Sequence, residues 1–241
     1  MSTTVYGDQR GRLCNQIIRN LCVSRVAEKH NLHVTYSSYE LITRLGVTLF
    51  SGQHKYGSTI ELTDDNFFAV LEGKPLLSNV KTWQSFFQTK EISQFLWEYL
   101  RENKQSVIDA NPFKERYNNN NDCFVHIRLG DTAHWNPGVE YYKKALAALS
   151  FDTLHVGTDS PGHPIIKELL ILYPSASVLP YAEVETIQFG STAKHIVLSH
   201  GSFSAVIGWL SFFSTVYYPE HKGVKWYGDM FSIPVWNCVL Y

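Results

Sequence analysis

The sequence predicts an α/β fold built on parallel sheets, and three observations predict it. From Cys123 onward short apolar runs alternate with helical patterns without interruption, the order that covers a parallel sheet on both faces. The chain opens on a short strand followed at once by a helical pattern, a βα start. The segment Val125-His126-Ile127-Arg128-Leu129-Gly130-Asp131 is an apolar strand ending in polar side chains, and ligands of open α/β sheets sit outside the carboxyl ends of the strands.

Residues 3–6 read as the first strand, and a Gly-rich turn leads into a helix over about 13–29. There Leu13, Ile17 and Leu21 recur at helical spacing, as do Cys14, Ile18 and Cys22. Residues 33–36 form a second strand, with weaker strand candidates at 45–50, 58–62 and 75–77. Phe95, Leu96, Tyr99 and Leu100 mark an amphipathic helix running to about Asp109. Asn118 to Asn121, after Asn111-Pro112, is the clearest break, so the linker is placed there, with lobes at 1–117 and 118–241. The second half then reads strand 123–128, helix 139–149, strand 153–157, helix 164–172, strand 176–179, helix 183–189, strand 195–198, helix 203–212 and strand 214–217. The last stretch, with Trp226, Tyr227, Phe231 and Trp236, has no clear period.

Composition narrows the function. The 21 basic residues against 22 acidic ones leave a formal charge of −1, with no long basic run, which argues against nucleic acid as a main partner. The amino terminus shows no basic start with an apolar run. The apolar stretch from Ala205 to Tyr218 is short and interrupted, so no membrane span is expected. Cys14, Cys22, Cys123 and Cys238 have no paired spacing, which suits reduced thiols in a cytoplasmic protein.

Four loops carry candidate chemistry. In the first, Gly7 to Gln16, the free N–H groups of a helix start, with Arg12 beside them, suit an anion; the ordinary alternative is a strand-to-helix turn. In the second, strand alternation places Cys123, Val125, Ile127 and Leu129 on a core face and Phe124, His126 and Arg128 on the other. A fixed cation, Arg128, beside a carboxylate, Asp131, suits a reaction in which a phosphate leaves and a hydroxyl loses its proton. In the third, Asp159 either accepts two hydrogen bonds from a guanine or caps the following helix. In the fourth, the Ser202 and Ser204 hydroxyls and the first-turn N–H groups form a neutral phosphate cradle, or a simple serine cap. No Asp-x-Asp triplet and no His/Cys ligand spacing occurs, so no metal is expected.

Taken in order, these loops resemble the motifs of the α-1,2-fucosyltransferase family, related to the α-1,6- and protein O-fucosyltransferases. Gly11-Arg12-Leu13-Cys14-Asn15-Gln16 is similar to the family's Gly-x-Leu-Gly-Asn-Gln turn. His126-Ile127-Arg128-Leu129-Gly130-Asp131-Thr132 resembles its His-x-Arg-Arg-Gly-Asp-Tyr motif. Thr158-Asp159-Ser160 and Ser202-Phe203-Ser204 match a later strand end and a Ser-Phe-Ser helix start.

The resemblance implies a GT-B-like scaffold of two Rossmann-like lobes with mostly parallel sheets. It implies GDP-fucose as donor, an oligosaccharide acceptor, inversion at the anomeric carbon and no metal or other cofactor. The amino-terminal lobe would take the acceptor side and the carboxyl-terminal lobe the GDP-sugar. Arg128 would hold the β-phosphate, and His126 and Asp159 would recognise guanine or ribose. Ser202, Phe203, Ser204 and the turn at Gly11, Arg12, Leu13, Cys14 and Asn15 would wrap the pyrophosphate, and Asp131 would be the base. Leu129, Thr132, Cys14 and Ala205-Val206 depart from the family pattern, which leaves acceptor, linkage and donor sugar open. The rivals are another nucleotide sugar on the same scaffold and a non-catalytic nucleotide- or glycan-binding module. A nicotinamide-dependent oxidoreductase is disfavoured by the absent glycine fingerprint.

Overall fold

The computed structural model describes residues 3–5, 11–221 and 228–241. The turn residues 6–10 and the aromatics Trp226 and Tyr227, both read in the sequence, lie outside that range. Two compact units divide the chain: the first ends at Leu100 and also holds 228–230, and the second begins at Arg101 and holds the remainder.

In the first unit, strands β1 (Thr3–Val5), β2 (Val34–Thr35), β3 (Thr59–Glu61) and β4 (Asn79–Thr82) form a parallel sheet in the order β2-β1-β4-β3. Helix α1 (Leu13–His30) buries both of the apolar stripes read from the sequence. It stops at Asn31 in the left-handed conformation, whose N–H bonds back to the Ala27 carbonyl. Short helices α2 (Tyr39–Arg44) and α3 (Phe67–Glu72) complete the connections.

Two strand expectations fail here. Leu45, Val47 and Leu49 are buried in alternation, but 45–50 joins no strand. Its end is instead held by side chains, with the Phe50 N–H donating to Ser24 and the Tyr36 hydroxyl donating to the Phe50 carbonyl. The strand expected at 75–77 lies at 79–82 and hides in polar residues. The Asn79 side chain bonds to Tyr56 and Ser58, and Thr82 accepts from the fully buried Arg19 at 2.9 and 3.0 Å.

The helix expected to run to Asp109 breaks at Asn103 into α4 (Lys90–Glu102) and α5 (Lys104–Ala110). The Asn118 to Asn121 run lies inside the second unit and forms a hydrogen-bonded staple. Asn120 donates to Arg116 and Thr192 carbonyls and accepts from the Asp122 and Lys194 N–H groups. Residues 101–117 join the same unit because Asn111 donates to the Gln188 carbonyl, Arg116 reaches Thr192 and Asp122, and the Phe113 ring meets Phe189 at 5.2 Å.

The second unit holds β5 (Cys123–Ile127), β6 (Leu154–Thr158), β7 (Ser177–Val178), β8 (His195–Val197), β9 (Thr215–Pro219) and β10 (Asn237–Val239). All six are parallel, in the order β7-β6-β5-β8-β9-β10. Counted from β5 this is 3-2-1-4-5-6, the dinucleotide-fold order, whose switch point falls between β5 and β8. Helices α6 (Val139–Ala147), α7 (Pro164–Leu172), α8 (Glu183–Gly190) and α9 (Ser202–Trp209) lie where the sequence placed them, within a few residues.

On one face of β5, Cys123, Val125 and Ile127 join Tyr141, Tyr142, Leu146, Ile166 and Leu169 in the core. The opposite face is also closed. The Phe124 ring occupies the space a Cβ would need at Gly157 and Gly190, at 2.7 and 2.6 Å. Strand β10 was not anticipated, and Trp236 before it packs over Gly208 of α9. Among the described residues no helix is long and apolar enough to cross a membrane.

Candidate functional site

The chain leaves β5 through Arg128 and Leu129 and enters a 3-10 turn over Gly130–Trp135. Gly130 has φ +32°, and a Cβ there would meet Asp159 Oδ2 at 2.6 Å. Glycine therefore lets the turn close on the Asp159 carboxylate. The Leu129 N–H donates to Asp159 Oδ1 at 3.0 Å and the Gly130 N–H to Ser160 Oγ at 3.3 Å. Arg128 is bracketed by two carboxylates: Nη1 donates to Asp159 Oδ2 and Nη2 to Asp131 Oδ1. From behind, Asn136 Nδ2 donates to the Arg128 carbonyl at 2.8 Å and to the Tyr142 hydroxyl at 2.9 Å.

The arginine read from the sequence beside one carboxylate is thus braced by two. A guanidinium has five N–H donors in a rigid fork; the carboxylates engage one on each terminal nitrogen, and the others have no partner among the described residues. The Arg128 side chain is 18% exposed and that of Asp131 is 55% exposed. Asp159 is not a helix cap: α7 is capped by His163, whose Nδ1 accepts from the Ile165 N–H at 3.2 Å. Both Asp159 oxygens are instead engaged by the β5 turn.

At the neighbouring strand end, Gly201 takes φ 100° and opens α9. The Ser204 hydroxyl, expected to face a phosphate, is fully buried. It bonds His126 Nδ1 at 2.6 Å and accepts from the Ser199 N–H at 3.2 Å. His126 is buried and stacks on Phe203 with ring centroids 4.9 Å apart. Burial, and then the Arg128 charge, pushes its pKa down to about 3, so the ring is neutral. With the Ser204 proton assigned toward Nδ1, the ring carries its own proton on Nε2. His126 and Ser204 form an internal brace that ties β5 to α9. The Ser202 hydroxyl has no partner among the described residues, and with the free N–H groups of the first turn of α9 it is what this end offers a ligand.

The α1 turn is built differently. Leu13 and Cys14 are buried and their side chains belong to the core. Gly11, at φ +102°, lies against Asn15, whose Oδ1 accepts from Gln88 at 2.8 Å. Gln16 donates to the Gly11 carbonyl at 3.0 Å and accepts from Ser37 at 2.6 Å. Arg12 is exposed. The residues expected to form one donor site therefore fall into two sets: Arg128, Asp131, Asp159, His126, Ser202, Phe203 and Ser204 on the second unit, and Gly11 to Asn15 on the first. Among the described residues no three His, Cys, Asp or Glu side chains converge as metal ligands.

Two α/β units, each on a wholly parallel sheet, define a GT-B-like fold. Solved structures carry the same fold. The fucosyltransferase NodZ from Bradyrhizobium aligns over 90% of this chain and 94% of its own, with a TM-score of 0.52 and 11% identity. A crystal structure of NodZ alpha-1,6-fucosyltransferase soaked with GDP-fucose aligns over 87% of this chain and 93% of its own, with a TM-score of 0.50 and 12% identity. At such identities the likeness is one of fold, and it does not single out the α-1,2 family. No family model matches the chain, and no curated protein matches it in sequence.

Proposed function

We propose that this protein is an inverting, metal-independent glycosyltransferase that moves L-fucose from GDP-fucose to a hydroxyl of an oligosaccharide acceptor. The acceptor oxygen bonds to the anomeric carbon as the bond from that carbon to the β-phosphate oxygen breaks. The acceptor proton passes to a carboxylate and GDP leaves. The second unit is assigned the donor and the first the acceptor.

The observation that carries this reading is a braced guanidinium at the switch point of a 3-2-1-4-5-6 parallel sheet, where ligands of this topology sit. Fixed donors aimed at developing charge lower a barrier because they need no reorganisation during reaction. The NodZ likeness, including a structure soaked with GDP-fucose, supports the same class of donor. Of the two carboxylates, Asp131 is the more exposed. A diphosphate that takes Arg128 Nη2 displaces Asp131 from it, and the Asp131 carboxylate then accepts the acceptor proton. Asp159, tied also to the Leu129 N–H, stays to orient the guanidinium.

Thermal stabilisation tests the donor. GDP should raise the melting temperature where UDP, ADP and CMP do not, and EDTA should leave the shift unchanged, because a ligand bound only by the folded state stabilises it. Transfer of fucose from GDP-fucose to an oligosaccharide panel then tests the reaction. Stabilisation by another nucleotide instead of GDP overturns the donor assignment, and tight GDP binding without transfer to any acceptor points to a binding module.

A further inference from the structure

We propose that His200 donates a hydrogen bond to the diphosphate of the donor and is, beside Arg128, a second side chain that grips it. The inference rests on the reading of this site as a nucleotide-sugar site. Sheet topology makes the placement. On one side of β5, Ile127 pairs with Thr158, and just beyond that pair Arg128 and Asp159 are ion-paired. On the other side β5 pairs with β8 up to Val125 and Val197, and the chain beyond β8 leads through His200 into α9. Arg128 and His200 thus follow the carboxyl ends of neighbouring strands, one on each side of the switch point.

The state of the side chain points to a ligand. His200 is 8% exposed, yet neither ring nitrogen has a hydrogen-bond partner among the described residues. Its contacts are ring contacts, with His221 at 5.4 Å and Phe231 at 6.4 Å between centroids. A ring nitrogen that has no protein partner is available to a ligand oxygen. Burial, and then His221, pushes its pKa down to about 4, so the ring is neutral, with one donor and one acceptor nitrogen. The next residue is Gly201, at φ 100°, which opens α9 and turns its unpaired first-turn N–H groups to the same strand end.

Charge explains the need. Arg128 faces two carboxylates, so among these three described side chains an arriving diphosphate meets no surplus of positive charge. A neutral imidazole N–H and the helix N-terminus supply further donors.

The test uses the full chain and whichever of GDP, UDP, ADP and CDP binds best, with its nucleoside and inorganic pyrophosphate as controls, titrated calorimetrically. His200→Ala should weaken the nucleotide and pyrophosphate by about tenfold to a hundredfold, the range of a hydrogen bond to a charged group, and leave the nucleoside unchanged. His200→Gln, which keeps an N–H donor, should recover part of the loss. If His200→Ala melts early, the comparison is read from His200→Gln and His200→Asn, where a loss in either, confined to the phosphate-bearing ligands, supports the contact. Unchanged nucleotide affinity in all folded variants overturns it, as does equal weakening of nucleotide and nucleoside. If the unaltered protein binds no nucleoside diphosphate, the donor-site reading itself fails, which is a different result from a protein that binds one without help from His200.

Discussion

Two glycines stand at two helix starts in this molecule, Gly11 at φ 102° one residue before the Arg12 cap of α1 and Gly201 at φ 100° as the cap of α9, and the described polar groups around them differ. Around Gly11 the side chains bond to one another: Asn15 with Gln88, and Gln16 with Gly11 and Ser37. Around Gly201 one hydroxyl, that of Ser204, braces His126, while Ser202 and the ring nitrogens of His200 have no partner among the described residues. Both starts use a glycine at positive φ, so a glycine turn by itself does not identify a ligand site; polar groups left over once the fold is satisfied are the stronger mark.

The sharpest way to break this contrast is to remove one cation from each unit, Arg128 at the end of β5 and Arg12 at the start of α1. Arg128→Ala should lower turnover by about a hundredfold to a thousandfold, the loss seen when one preorganised donor is removed. Arg128→Lys should recover little, because a single ammonium cannot meet two carboxylates and a phosphate in one plane. Arg12→Ala, at the exposed start of α1, should cost much less. Comparable kcat losses at the two positions would erase the distinction between the turns.

Asp131→Asn separates catalysis from bracing. The pair with Arg128 is an exposed i,i+3 contact, worth at most about 1 kcal/mol of stability, so melting should barely move. Loss of a general base costs about a hundredfold or more in turnover. A normal rate in this variant would leave Asp131 as a brace for Arg128 only.

Ser204→Ala tests the brace in α9. It strands His126 Nδ1 and the Ser199 N–H in a buried setting, which costs about 1–3 kcal/mol, or about 2–4 °C of melting temperature per kcal/mol in a chain this long. The same histidine sets an acid limit. Its pKa is about 3 in the folded protein against an ordinary 6.5, so the unfolded chain binds the proton first as pH falls. His126 contributes its full stabilisation above 6.5, and that contribution drains away between 6.5 and about 3. His200, at about 4, acts in the same direction. Denaturant melts across that range should show a shallower acid loss in His126→Asn than in the unaltered chain.

Much of the second unit was legible because its strands are apolar and its helices periodic. The first unit was less so: β4 is held by Asn79 and Thr82, whose pairing with Tyr56, Ser58 and Arg19 depends on residues far away in sequence. At the site, Arg128 and Asp131 could be found from a polar strand end. The role of Asp159 could not, because either alternative, guanine reading or capping, assumed a local partner, whereas its partners come from the β5 turn some thirty residues earlier. Ser204 misled for a related reason: a serine in a helix's first turn looks free until the strand beneath supplies a histidine. His200 carried no motif signal, since only the sheet order sets the end of β8 beside the end of β5.

The smallest effects come from the glycines themselves. Alanine at either position must adopt a left-handed backbone, at about 1–2 kcal/mol. At Gly11 the new Cβ would also meet Asn15 Nδ2 at 2.1 Å, and Asn15 is held by Gln88, so Gly11→Ala should destabilise by more than the backbone strain alone. Function should rank Gly201 first. A strained first turn in α9 misaims N–H groups that a diphosphate uses, so Gly201→Ala should weaken nucleotide binding more per degree of melting temperature lost. Measuring both quantities in both variants decides the matter: if binding loss simply follows stability loss at both glycines, neither turn meets the diphosphate.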